Sequence, residues 1–180
     1  MNLTMIGMPS CGKSTIGVML AKLAAMGFLD VDIMIQEKTG KKLKDIIAEE
    51  GQDGFLKVEG DIASSIEVEN TIIAPGGSIC YEAEAMEHLK EISKIVYLKI
   101  SYEDMEQRIG DVTDRGVAMP EGFTLRDLFN DRAPLYEKYA DVIIDEKGKT
   151  PAEIVREIKN WTEQVTTEDR FWRNSKKNIW

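Results

Sequence analysis

A parallel α/β sheet with helices packed on both faces is the architecture this sequence predicts, and three observations carry it. Short apolar runs alternate along the chain with longer stretches whose apolar residues recur every three or four positions. The first run passes through a glycine-rich turn straight into a helix. Strands that alternate with helices also require right-handed crossovers, which cover a parallel sheet on both sides.

Residues 2–6 read as a buried strand. The helix that starts near Lys13 places Ile16, Met19, Leu20, Leu23 and Met26 on one face toward the sheet, and Gly27 is expected to end it. Phe28 to Val31 form a second strand that runs into Asp32 and a helix through Gln36. Two helical patterns follow, 43–50 and 54–68, separated by Gly51-Gln-Asp-Gly54. A third strand spans 71–74, a helix 81–92, a fourth strand 95–100 and a helix Tyr102 to about Ile109. A stretch punctuated by Gly, Asp and Pro, 110–123, leads into a helix over 124–139, a strand at 142–144 and a last helix from Pro151 to about Val165. Residues 1–165 thus read as one domain, and 166–180 as a separate basic, aromatic tail.

Composition narrows the function. The chain has 180 residues with 23 Lys+Arg against 32 Asp+Glu, a formal charge of −9. So acidic a body does not bind a nucleic-acid backbone, whose affinity rests on basic charge. There is no basic leader before an apolar segment and no run long enough to span a bilayer, so neither export nor membrane insertion is expected. Two cysteines, Cys11 and Cys80, fit a cytoplasmic protein with reduced thiols, although they follow strands that should be neighbours and a bridge between them would block the loop described next. His88 is read as a surface residue, and no His/Cys cluster suggests zinc. The tail is expected to be a solvated or self-docked end on a monomer; its Trp and Arg residues are the alternative, an oligomer contact.

Gly7-Met-Pro9-Ser10-Cys11-Gly12-Lys13-Ser14 matches G-x-x-x-x-G-K-[ST] in full, between a strand and a helix where the chemistry needs it. Backbone N–H groups of such a loop and the helix N-terminus cradle a polyphosphate. Lys13 reaches the β- and γ-phosphates, Ser14 ligates Mg²⁺, Cys11 fills the loop, and Thr15 closes the ATP-binding segment. A guanine-reading Asn-Lys-x-Asp is missing from the sequence, and Asp145-Glu-Lys-Gly148, which follows the last strand, is read as a turn.

Further pieces follow in order: Asp30-Val-Asp32 at the end of the second strand, Phe55-x-x-x-Glu59, Pro75-Gly76-Gly77-Ser78 after the third strand, and Arg132-Ala-Pro-Leu-Tyr136 before the last. With the phosphate loop, this set resembles the shikimate kinase family from Leu3 to about residue 160. The resemblance implies a three-layer α/β/α P-loop kinase fold with a five-stranded parallel sheet, substrate-binding helices over about 32–68 and a lid over about 110–123. It implies transfer of the γ-phosphoryl of ATP, with Mg²⁺, to a small hydroxylated acceptor. Asp30 then serves the metal with Ser14, and Asp32 orients or deprotonates the attacking hydroxyl. Gly76, Gly77 and Arg132 hold the acceptor, while Arg108 stacks on adenine and Arg115 closes on the phosphates.

Three positions depart from the family pattern. Pro75 stands where a glycine triplet begins and removes a donor. Gly116 follows the lid arginine in place of proline, which predicts a looser lid. Leu56 replaces the arginine that grips the shikimate carboxylate, a loss of roughly 1.5–3 kcal/mol for one charge-assisted donor, and Lys57, about 100° away around the helix, does not inherit the contact. Leu56 is therefore expected to line the acceptor pocket. Shikimate stays the leading acceptor; a sugar acid, cyclitol or nucleoside is the alternative. A nucleotide-binding regulator without catalysis is the third reading, opposed by the intact Lys13, Ser14, Asp30 and Asp32.

Overall fold

The computed structural model describes residues 1–110 and 116–177, with backbone alone for 168–177. Its order is β1 (Asn2–Ile6), α1 (Lys13–Ala24), β2 (Gly27–Asp30), α2 (Val31–Thr39), α3 (Leu43–Ser64), β3 (Thr71–Ala74), a 3₁₀ turn (Gly77–Tyr81), α4 (Ala83–Ile92), β4 (Ser93–Lys99), α5 (Tyr102–Ile109), α6 (Leu125–Tyr139), β5 (Val142–Asp145) and α7 (Pro151–Lys177). The strands form one five-stranded sheet in the order β2-β3-β1-β4-β5, every neighbouring pair parallel. β1 and β3 are buried at every residue, as strands covered on both faces must be.

Because β1 lies between β3 and β4, the chain leaves it toward β2 on one side and later returns to the other. The crevice beyond the carboxyl ends of β1 and β3 is the kind of switch point at which open α/β sheets bind ligands. Residues 7–14 and 75–78, which leave those two ends, come together there.

Several elements differ in detail from the sequence reading. The face that α1 turns to the core is Ile16, Gly17, Leu20 and Ala21, while Met19 and Leu23 are exposed. Small residues set this rotation: a Cβ on Gly17 would lie 2.6 Å from the Phe28 ring, so the helix approaches β2 more closely than a large side chain allows. The helix ends at Ala25, in left-handed geometry with φ 53°, and Gly27 instead opens β2, where a Cβ would sit 2.9 Å from Thr71 Oγ1. α2 runs on past Gln36 to Thr39 because Gly40, at φ 70°, caps it and donates its N–H to the Gln36 carbonyl. The two helices expected over 43–68 are present, broken by non-helical backbone at Gly51 (φ 73°, ψ 179°), and the second ends at Ser64 rather than at 68. α4 starts later than expected because residues 77–81 wind as a 3₁₀ turn. The last helix continues through to Lys177. His88 is half-buried rather than on the surface, its Nε2 2.8 Å from the Ile66 carbonyl. Cys11 and Cys80 are both buried free thiols. No described helix is long and apolar enough to cross a membrane.

Asn2 ties the start of the sheet together. Its Nδ2 donates to the carbonyls of Val68 (2.7 Å) and Ile92 (3.0 Å), and its Oδ1 accepts from the Thr71 N–H at 3.0 Å. With the residue 4% exposed, water cannot replace these bonds fully. Asn2→Ala should therefore lower unfolding stability in urea by about 2–4 kcal/mol, the cost of stranding buried polar groups; a change below 0.5 kcal/mol would contradict this account.

Candidate active site

The loop after β1 folds tightly around its own interior. Gly7, at φ 150°, approaches β4 so closely that a Cβ would meet the Leu98 carbonyl oxygen at 2.6 Å. Gly12 takes φ 93° as the N-cap of α1 and Ser10 also adopts positive φ, at 64°. No side chain caps α1, so the N–H groups of its first turn face the crevice with their partial positive charge. Cys11 is buried inside the loop, where desolvation pushes its thiol pKa up. Lys13 Nζ donates to the carbonyls of Gly7 (2.9 Å) and Met8 (3.1 Å), holding the ammonium across the cradle.

Asp30 links this loop to α2. Its Oδ2 accepts from Ser14 Oγ at 2.8 Å, while Oδ1 caps α2 by accepting the N–H groups of Asp32 (3.0 Å) and Ile33 (3.3 Å). The cap lifts Asp32 into the first turn, facing the crevice. Burial, and next the Asp30 charge, raise the Asp32 pKa to about 6.

Across from Asp32 lies a second carboxylate, Glu59 of α3, which the motif Phe55-x-x-x-Glu59 contained without revealing its surroundings. Glu59 is fully buried; its Oε2 accepts from Ser78 Oγ at 2.5 Å, and among the described residues its Oε1 has no hydrogen-bond partner. Both carboxylates close on Gly76: a Cβ there would lie 2.3 Å from Glu59 Oε1 and 3.1 Å from Asp32 Oδ1. Burial, with the Asp32 charge adding to it, raises the Glu59 pKa to about 7. Gly77 is equally confined, between Arg132 Nη1 (3.1 Å from a Cβ) and the Pro9 ring (3.2 Å), and its carbonyl accepts from Tyr136 Oη at 2.5 Å.

Arg132 is 1% exposed. Its Nη2 donates to the Ala118 carbonyl and its Nε to Tyr81 Oη at 3.3 Å. Two acids on the same helix are engaged elsewhere, the adjacent Asp131 with Tyr81 Oη (2.6 Å) and Glu137 with Lys99 (2.9 Å). Among the described residues no carboxylate forms an ion pair with this guanidinium. The phosphate loop, Asp32, Phe55, residues 74–78, residues 116–118 and Arg132 together line a cleft of about 310 Å³.

Not every expected residue meets this cleft. Leu56 is half-buried and packs on the hydrophobic core, outside the cleft lining, where Phe55 stands instead. Arg108, on α5, pairs through Nη1 with Oε2 of Glu146 at 2.9 Å. Glu146 escaped the sequence reading because it sits in Asp145-Glu-Lys-Gly148, which is indeed a turn: Asp145 Oδ1 accepts the Lys147 N–H at 2.9 Å. Arg115 lies outside the described residues. Gly116, expected to loosen the lid, has a closer purpose: at φ 61°, a Cβ would press on Leu43 Cβ at 3.0 Å and the Lys44 N at 3.2 Å, and proline cannot take that φ.

A glycine-lined phosphate loop, a serine and an aspartate beside it, and a polar cleft at the sheet's switch point define a P-loop nucleotide-binding protein with room for a second ligand beside the loop. The sequence model described as Shikimate kinase matches residues 9–163. A shikimate kinase of Francisella tularensis subsp. holarctica is 34% identical over 169 residues, covering 92% of this chain and 96% of the relative. The shikimate kinase of Acinetobacter baumannii, solved in complex with shikimate, superposes with a TM-score of 0.82 at 30% identity, over 91% of this chain and 93% of that one. The Aquifex aeolicus enzyme gives a TM-score of 0.80 at 29% identity, over 92% and 98% of the two chains. The chain belongs to the shikimate kinase family, and its activity is an ATP-dependent phosphotransfer to an alcohol group.

The buried Glu59 makes stability depend on pH. Its carboxyl titrates at 4.5 in a model peptide and at about 7 in the fold, so the native state binds the extra proton between those values. Stability therefore falls as pH rises through that window, by at most about 1.4 kcal/mol per unit, and stays low above it. Glu59→Gln should melt higher than the parent at pH 8 and lose that advantage near pH 4.5; parallel melting curves across this range would refute the assignment.

Proposed function

We propose that this chain phosphorylates shikimate, and the observation that carries the reading is the buried Arg132 guanidinium facing the cleft, which among the described residues forms no ion pair with a carboxylate. A buried charge without a direct ion-pair partner is costly, and a bound anion offsets that cost. A hydroxylated acceptor bearing a carboxylate supplies that anion; a neutral polyol does not. Leu56 contributes no second cation, so Arg132 holds the carboxylate by itself, opposite the hydroxyl that must reach Asp32.

The loop 7–14 receives the triphosphate on its N–H groups and on the N-terminus of α1. Lys13 exchanges the Gly7 and Met8 carbonyls for the β- and γ-phosphate oxygens. Ser14 Oγ and Asp30 fit Mg²⁺, an ion that keeps most of its waters and needs one or two protein oxygens beside the phosphates; when bound, it neutralises charge on the transferring group. Asp32, with its pKa near 6, is ionised at neutral pH yet basic enough to accept the proton of the acceptor hydroxyl. The hydroxyl oxygen bonds to the γ-phosphorus, the bond from phosphorus to the β,γ-bridging oxygen breaks, ADP leaves, and the proton rests on Asp32. Gly76 and Gly77 form the floor on which the acceptor lies, and Arg108 and Arg115 attend the nucleotide. The buried free thiols Cys11 and Cys80 suit a reducing compartment, the cytoplasm.

An ATP-turnover assay across shikimate, gluconate, inositol and nucleosides tests the acceptor: shikimate should exceed the others by at least tenfold in kcat/KM, and turnover at background level would end the reading. Within it, Asp32→Asn should lower kcat by roughly 10²–10⁴ while leaving the KM for ATP within a few-fold. Equal losses in kcat and in ATP affinity would move Asp32 to the metal.

A further inference from the structure

Arg132 and Asp131 are adjacent on α6, so their side chains diverge by about 100° and cannot pair directly. Tyr81, the last residue of the 3₁₀ turn, bridges them. Its hydroxyl donates to Asp131 Oδ2 at 2.6 Å and accepts from Arg132 Nε at 3.3 Å, while its ring lies 5.1 Å from the guanidinium carbon. We infer that Tyr81, backed by Asp131, is a positioning residue that sets the acceptor specificity of this chain by aiming Arg132 as a single-residue clamp for the acceptor's carboxylate. The inference rests on the reading of Arg132 given above.

The geometry carries it in three steps. A guanidinium offers donors at Nε, Nη1 and Nη2. Here Nε is held by Tyr81 and Nη2 by the Ala118 carbonyl, which stops the group from rotating and leaves Nη1, beside Gly77, as the edge turned to the cleft. Tyr81 adds no charge of its own: burial and the bond to Asp131 push its pKa up to about 12, so the hydroxyl keeps its proton for Asp131 and a lone pair for Nε. Asp131 is exposed, and its negative charge acts on Arg132 through the polarised phenol without entering the cleft or competing with an anionic acceptor. A direct carboxylate partner would have occupied the donors that the acceptor needs. With Leu56 unable to share the carboxylate, alignment of one guanidinium decides the affinity.

Steady-state kinetics of the full chain decide the matter, using shikimate and an analogue whose carboxylate is replaced by a neutral hydroxymethyl group. Tyr81→Phe and the exposed Asp131→Asn should each raise the KM for shikimate about 5- to 30-fold. Both should leave the KM for ATP unchanged and leave the analogue's kinetics at the parent's level. An unchanged KM for shikimate in both variants, while Arg132→Lys raises it, overturns the positioning role and spares the clamp. An equal rise with the analogue overturns it too, because loss of packing alone acts on both acceptors. If Arg132→Lys itself leaves the KM for shikimate unaltered, the clamp fails and the role of Tyr81 falls with it.

Discussion

The pairing of Leu3 with Ile72 and of Thr4 with Ile73 in adjacent parallel strands fixes what the loops beyond them can do. Both strands end at the same edge of the sheet, so residues 7–14, proposed to wrap a triphosphate, and residues 75–78, proposed to floor the acceptor, emerge side by side. Neither loop could be displaced without slipping a strand whose every residue is buried, and such a slip would exchange the side chains facing the two helical layers and undo the packing of both. The distance between donor and acceptor sites is thus a property of the hydrophobic core. Catalysis by positioning, which dominates phosphoryl transfer, inherits its accuracy from that core.

Charge in the cleft is arranged by depth. Lys13 and the amino end of α1 line one side of the cleft, and Arg132 lines another. Between them Asp32 and Glu59 converge on Gly76, where even a methyl group would collide with the deeper carboxylate. The two acids differ in task because they differ in surroundings. Asp32 faces the crevice, whereas Glu59 is sealed behind Gly76 and bonded to Ser78, which ties α3 to the turn after β3. A glycine at 76 is therefore required by side chains from two helices as much as by the approach of a substrate.

Much of this was legible in the sequence where the signal is local. The phosphate loop, the Asp30-Val-Asp32 pair and all five strands could be read because each is set by neighbouring residues: glycines with positive φ, a capping aspartate, a short apolar run. What escaped reading depends on contacts between distant segments. Met19 and Leu23 fit a helical stripe as well as Ile16 and Leu20 do, and only the intimate packing of Gly17 on Phe28 decides which stripe faces inward. Tyr81, Glu146 and the true setting of Gly116 carry no motif, since each acquires its meaning from a partner 38 to 73 positions away. Leu56 shows the converse hazard: a departure visible in the sequence pointed to a place in the cleft that its packing on the core denies it.

The hold of Lys13 on the Gly7 and Met8 carbonyls means that ligand entry at this loop is an exchange of partners rather than a gain of new ones. Two hydrogen bonds are surrendered for each set formed with an incoming polyphosphate, so the heat released on association should be smaller than the tally of contacts in the complex suggests. The same internal bonds hold the loop in its wrapped shape, which lowers the ordering entropy of capture.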